Sequence, residues 1–249
     1  MRRLLNFKLL ITGLILGHFM LGTVSCDKDN DDPEPKDNTE QEKGGEEPTS
    51  KKDSVDNGGT TKDDALKYTE AQLKAANTAE NASYLSKEEK MVVYYMNLAR
   101  MDGKLFIETY LKDLKTSNKK DEKSLIEELS MIKGLPMLYP NQKLYEASSF
   151  HAKDIGDAGL VQHESSDGTS PGERIKRYYN GGAMAENVSC AFEDGMNIVM
   201  QMLVDEGIEN HVHRANILNP KFNRVGISIH THSKYNYCCV QDFSDEAGE

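Results

Sequence analysis

The chain of 249 residues has no tryptophan, only four cysteines and seven prolines, and aromatic residues make up just 7% of it. With so little proline and no glycine repeat, a collagen-like fibre is excluded. Beyond residue 24 there is no apolar run long enough to cross a bilayer, which excludes a multi-span membrane protein. Positive charge is also short, with 30 Lys+Arg against 41 Asp+Glu and a net charge of -11. Phosphate binding depends on cationic side chains, so nucleic acid is excluded as the main partner. There is no Gly-x-Ser-x-Gly elbow and no Cys-His nucleophile pair, which leaves covalent hydrolase chemistry without support.

What is present is distributed unevenly. Residues 27–64 hold 14 acids and 6 lysines, and Val55 is their only aliphatic residue. Such a segment cannot bury enough apolar surface to offset chain entropy, and it is expected to be a disordered, extended tether. Before it, Arg2, Arg3 and Lys8 precede an apolar run from Leu9 to Val24, interrupted by Gly13, Gly17 and Gly22. That is the pattern of an export signal. Thr23-Val24-Ser25-Cys26 resembles the lipobox of bacterial lipoproteins, in which the cysteine is acylated and becomes the first mature residue. The expected organisation is a signal peptide over 1–25, then a lipidated Cys26 with an acidic linker over 26–64. A helical extension over 65–85 and a folded domain over 86–245 follow. Acyl chains on Cys26 would make the membrane a partner and place the domain outside the cytoplasm, at a bacterial outer membrane or cell surface.

Within the folded part, Ser86 with Glu89 reads as a capping box that opens a helix carrying Met91, Val92, Tyr95, Leu98 and Ala99 on one face. Residues 113–124 are charged and apolar-poor, so they read as an exposed loop. Leu144, Ala147, His151, Ala152 and Ile155 form a second helical stripe that stops at Gly159. Ser170-Pro171 with Glu173 starts another helix, and Met196, Val199, Met200 and Leu203 mark a further one. Val225, Ile227 and Ile229 alternate as a strand, with Tyr235–Phe243 as its hairpin partner. Helices ending in an antiparallel hairpin indicate an α+β class, a three-layer α-β-α sandwich.

Histidine carries the chemical signal. His163 lies in Val161-Gln162-His163-Glu164-Ser165, His213 opens His213-Arg214-Ala215-Asn216, and Glu186 lies in Ala185-Glu186-Asn187-Val188. Imidazoles near carboxylates hold divalent metals or position water, although spacing alone does not bring these residues together. On the same reading His151 is a structural residue of its helix, His211 is exposed, and His230 and His232 are solvated at the hairpin turn. Arg174 and Arg214 pair with carboxylates or cap loops. One of Cys238 and Cys239 could pair with Cys190, leaving one thiol over, but nothing in the spacing fixes a pair and three buried free thiols fit equally well. Cys238 and Cys239, adjacent in a strand, face opposite ways.

The colinear order of these segments resembles the CAP superfamily (cysteine-rich secretory proteins, antigen 5 and pathogenesis-related 1 proteins; the SCP-like domain), in its bacterial branch. The matching stretches are Glu89–Arg100, then Ala147–Gly159 leading to His163, then Asp167–Pro171 with Arg174. They continue through Ala185–Val188, His213–Leu218, Phe222, Val225–Ile227 and Val240–Phe243, spanning roughly 86–244. The family's usual Trp is absent from the stretch Met202-Leu203-Val204-Asp205-Glu206.

The resemblance implies a three-layer α-β-α sandwich with an open cleft lined by His163, Glu186, His213 and Asp205. It implies metal ligation by His163, His213 and Glu186, with zinc as the candidate ion, and Glu186 and Asp205 as catalytic candidates. Three functions follow: a binding module for a divalent ion and a small-molecule, lipid or polymer ligand; a metal-assisted, peptidase-like hydrolase; or a structural role in the cell envelope. Two histidines with one or two carboxylates form a thin shell beside three-ligand catalytic zinc sites, which ranks binding ahead of catalysis. Replacing Cys26 with Ala is expected to leave the protein unprocessed or to release it from the membrane fraction. Normal processing and retention of that variant, seen by fractionation and blotting, would remove the anchor assignment.

Overall fold

The computed structural model describes residues 67–246, so the expected signal peptide, Cys26 and the tether to residue 64 lie outside the described residues. Helix α1 (Glu70–Ala76) starts at a capping box of Thr69 and Gln72, and α2 (Lys87–Met101) at the one formed by Ser86 and Glu89. Tyr68 ties α1 to α2 by donating to the carbonyls of Leu98 and Asp102. After α3 (Gly103–Tyr110) and a 3-10 turn at Lys112–Thr116 comes α4 (Lys120–Met131). The stretch 113–124 is therefore partly helical rather than a loop. Lys120 and Lys123 of its first turn face water and Asp121 meets Gly207 and His211, while Leu125 and Leu129 one turn apart bury the other face.

The remaining elements are β1 (Tyr139–Pro140), α5 (Gln142–Ala158), α6 (Pro171–Lys176), β2 (Met184–Cys190), α7 (Gly195–Val204), α8 (Val212–Ile217), β3 (Arg224–His232) and β4 (Asn236–Ser244). Helix α5 ends on Gly159 in the left-handed conformation, and α6 starts at a capping box of Ser170 and Glu173 with Pro171 at its first position. Among the described residues no helix is long and apolar enough to cross a membrane.

The four strands lie in the order β1-β3-β4-β2, with β1 parallel to β3 and the other pairs antiparallel. Strand alternation assigns the two faces. Val225, Ile227, Cys239 and Phe243 point into the main core with α2, α3, α4 and α7. Cys238, Val240 and Asp242 point the other way, where Ala152 and Ile155 of α5 pack on the first two. The result is the α+β, three-layer α-β-α sandwich expected from the sequence.

Two contacts fix the layers. Gly226 of β3 lies so close to α5 that a Cβ there would stand 2.2 Å from the backbone carbon of Leu144. Arg100, fully buried, donates to the carbonyls of Pro136, Ile217, Asn219 and Phe222, which joins the loops before β1 and before β3. Burial lowers its pKa to about 10, so it stays charged at neutral pH.

Gly226→Ala is expected to destabilise the domain by about 3 kcal/mol, because the new methyl meets backbone that cannot rotate away. Gly172→Ala, with open space around it, should change stability by no more than about 1 kcal/mol. Urea titration of both variants checks this, and equal effects would contradict the close approach.

Candidate functional site

Strand β2 is the sheet edge on which the expected residues meet. Its residues alternate between the two helical layers, so Glu186 faces α5 and α6 while Asn187 faces α7 and α8.

On the first side, the chain leaving α5 brings His163 back over the sheet, and its Nδ1 lies 2.9 Å from Glu186 Oε1. The carboxylate is acceptor-only, so Nδ1 carries the proton and Nε2 is left with its lone pair. His163 is 44% exposed and the Glu186 side chain 2%. The other oxygen of Glu186 accepts from the fully buried Arg174, whose guanidinium also donates to the His163 carbonyl and to Ser165. Burial alone would raise the Glu186 carboxyl, but the bond from His163 and the charge of Arg174 outweigh it and hold the pKa below the usual value.

Asp242 stands directly opposite Glu186 on β4, wholly buried, with Ser148 Oγ 2.9 Å from its Oδ2. Burial, and then the neighbouring Glu186 charge, push its carboxyl well above the ordinary range. The two facing carboxyls are thus shifted in opposite directions, Glu186 down beside its cation and Asp242 up by burial.

On the second side, α7 ends at Asp205, which is left-handed at φ 52°. Its Oδ1 lies 2.7 Å from His213 Nδ1, and its Oδ2 accepts from the backbone N–H groups of His213 and Arg214 at the start of α8. His213 is 19% exposed and Asp205 2%. The two halves are joined by amides. Asn187 donates to the His213 carbonyl at 3.1 Å and accepts from Asn216, which also reaches the Glu186 carbonyl.

The site thus consists of two imidazoles, each oriented through Nδ1 by a buried carboxylate and each exposed on its remaining edge. The four residues expected from the sequence stand as two pairs, His163 with Glu186 and His213 with Asp205, linked through the amides of Asn187 and Asn216. A surface depression of about 480 Å³, lined among others by Ser86, Glu193, His230 and Tyr237, includes none of them.

Sequence reasoning missed other members of this cluster. His151 is buried, its Nε2 donating to the Gln162 carbonyl at 3.1 Å while lying 3.7 Å from Glu186 Oε1. It belongs to the environment of the site as well as to its helix. Arg174 pairs with a carboxylate as expected, whereas the place of Asp242 opposite Glu186 depends on strand register. His211 is not free, as its Nε2 lies 3.0 Å from Asp121. His232 is buried against the Leu160 carbonyl instead of solvated. Arg214 is fully buried, bonded to Glu128, Ser124 and carbonyls of α7.

Burial pushes the His151 pKa below the ordinary 6.5, with Arg174 reinforcing and Glu186 opposing. Its Nδ1 has no hydrogen-bond partner among the described residues, so a charged ring would bury an unsatisfied N–H. Below pH 6.5 the unfolded state binds a proton that the folded ring resists, so stability is lost as pH falls through that window. Thermal melts at about pH 7.5 and 5.5 should therefore show acid destabilisation, of which His151→Gln removes up to about 1.4 kcal/mol. An unchanged pH slope in that variant would contradict the neutral buried ring.

A family model, CAP: Cysteine-rich secretory protein family, matches residues 131–243. Among solved structures, the chain is similar to an extracellular protein containing an SCP domain from Bacillus anthracis. The identity is 26% over 45% of this chain and 35% of that one, with a TM-score of 0.39. It is similar to an outer surface protein from Borrelia burgdorferi, with 19% identity over 52% of this chain and 96% of that one, TM-score 0.40. A cysteine-rich secretory protein from Staphylococcus aureus shares 15% identity over 65% of this chain and 40% of that one, TM-score 0.39. The chain thus spans about a third of the Bacillus anthracis protein's length. No curated protein matches the chain.

Proposed function

With the CAP family supported over residues 131–243, we propose that this chain is a lipid-anchored, extracytoplasmic CAP-domain lipoprotein of the bacterial branch whose paired imidazoles bind a ligand. The observation that carries the reading is the matched geometry of His163 on Glu186 and His213 on Asp205. Each ring is held at Nδ1 by a buried oxygen and presents Nε2, the arrangement in which histidine is the strongest metal donor.

The donor set fits a divalent ion in kind but only modestly in number. Among the described residues no group of three or more His, Cys, Asp or Glu side chains is placed to hold a metal. Glu186 is engaged by Arg174, so its part is to orient His163, leaving two imidazoles as the protein's ligands. Zinc is the candidate, and when bound it would supply a positive centre that draws in the anionic or carbonyl groups of a small or polymeric ligand. The partners of Glu186 support binding over hydrolysis, because a carboxylate whose pKa is held down by the bond from His163 and the charge of Arg174 is a weak general base. Anchoring through Cys26 would confine this binding to the membrane surface, within reach of the acidic tether.

Calorimetric titration of zinc into the purified protein at neutral pH tests the reading. Wild-type protein is expected to bind zinc at neutral pH. His163→Ala and His213→Ala should each abolish binding, and Asp205→Asn should weaken it about tenfold or more. Wild-type affinity in either histidine variant would refute the metal site and leave a metal-free binding surface.

A further inference from the structure

Beyond this site, β2 and β4 carry a second pair of reactive side chains. Cys190, the last residue of β2, stands directly opposite Cys238 of β4 in the antiparallel register. Residues directly opposite point to the same face, and both thiols lie in the small cluster formed with Ala152, Ile155, Val188 and Val240 beneath α5. The next rung of the ladder is hydrogen-bonded, Ala191 N–H donating to the Tyr237 carbonyl at 2.9 Å. Rungs alternate, so Cys190 and Cys238 occupy a non-hydrogen-bonded position, where side chains approach most closely and Cα atoms are about 4.5 Å apart. That separation lies within the span a disulfide bridges.

Cys239 is excluded by the same register. It faces Ser189 and Ile229 in the main core, with the sheet between it and Cys190.

We infer that Cys190 and Cys238 form a cross-strand disulfide that fastens the end of the edge strand to β4, while Cys239 remains a thiol. The structure shows all three as free thiols, with Cys238 Sγ donating to the Ala152 carbonyl at 3.3 Å. Closure exchanges that weak bond for a covalent one by rotation about Cα–Cβ.

The oxidant is a disulfide, either a small molecule or a thiol–disulfide exchange protein, abbreviated R–S–S–R. Cys190, the partly exposed member, attacks as thiolate, forming Cys190–S–S–R and releasing R–S⁻, which takes up the proton that Cys190 lost. Cys238 then attacks the Cys190 sulfur and expels the second R–S⁻, which takes up the Cys238 proton. Two thiols are oxidised, one disulfide is reduced to two R–SH, and atoms and electrons balance. Burial pushes the Cys190 thiol up to about 12 and Cys238 to about 11, so closure is slow at neutral pH and quickens as pH rises.

The chemical consequence bears on the candidate site, because β2 also carries Glu186 and Asn187. A closed bridge fixes the far end of the strand that both imidazole pairs share.

The test is incubation of the purified full chain with oxidised glutathione, followed by non-reducing peptide mass mapping. The expected product links the Cys190 peptide to the C-terminal tryptic peptide from Tyr235 with loss of two hydrogens. Cys238 and Cys239 share that peptide, so variants assign the partner. Cys239→Ser should keep the link, whereas Cys190→Ser and Cys238→Ser should abolish it. In wild-type protein, which needs no substitution, oxidation should raise the melting temperature by on the order of 10 °C, reversed by dithiothreitol. Glutathione adducts without the link, a link through Cys239, or an unchanged melting temperature would each overturn the assignment.

Discussion

The ion pair between Arg174 and Glu186 is the constraint around which the edge of this sheet is arranged. Neither group has appreciable contact with water, and either alone would leave an uncompensated charge in the interior. Together they specify a geometry. The guanidinium spans α6, the loop that carries His163, and β2, while the carboxylate divides its two oxygens between the cation and an imidazole. Asp242 adds a second acid directly across the ladder, and burial together with the Glu186 charge raises its carboxyl while Glu186, bonded to His163 and Arg174, is held down.

Buried guanidinium groups recur at two further positions among the described residues. Arg100 and Arg214 are also fully buried, and both donate mainly to backbone carbonyls that no strand or helix ladder satisfies. A guanidinium with five donors in a fixed fork suits this task, since it can bond several converging chain ends at once. The apolar core packs the layers, and the arginines hold the long connections between them. In a chain without tryptophan, Arg100, Arg174 and Arg214 are the three largest fully buried side chains among the described residues.

Local features were readable from the sequence because their causes are local. The capping boxes at Ser86 and Ser170, the Gly159 stop and the terminal hairpin each depend on residues within a few positions of one another. The pairing of His163 with Glu186 was legible only through the order of whole segments, since 23 residues separate them. Three things stayed hidden. Asp242 opposing Glu186 depends on the β2–β4 register, across more than fifty residues. The burial of His232 follows from a carbonyl at Leu160, which brings the hairpin end against the close of α5. Helix α4 was obscured because only Leu125 and Leu129 of its twelve residues are buried, too sparse a stripe to register against so many charges.

Asp205 serves three parts of the molecule at once. It closes α7 in a left-handed conformation, accepts from the first N–H groups of α8, and fixes the His213 ring. Each task admits a different set of residues. Glycine or asparagine accommodates the backbone, any short acceptor caps the helix, and a carboxylate suits the imidazole best. Glutamate has the charge but not the reach or the backbone tolerance, and glycine has the backbone but no oxygen. The intersection is nearly a single amino acid, so sequence drift at this position is closed off from three directions, and a change in the ring's orientation cannot occur without disturbing both helices.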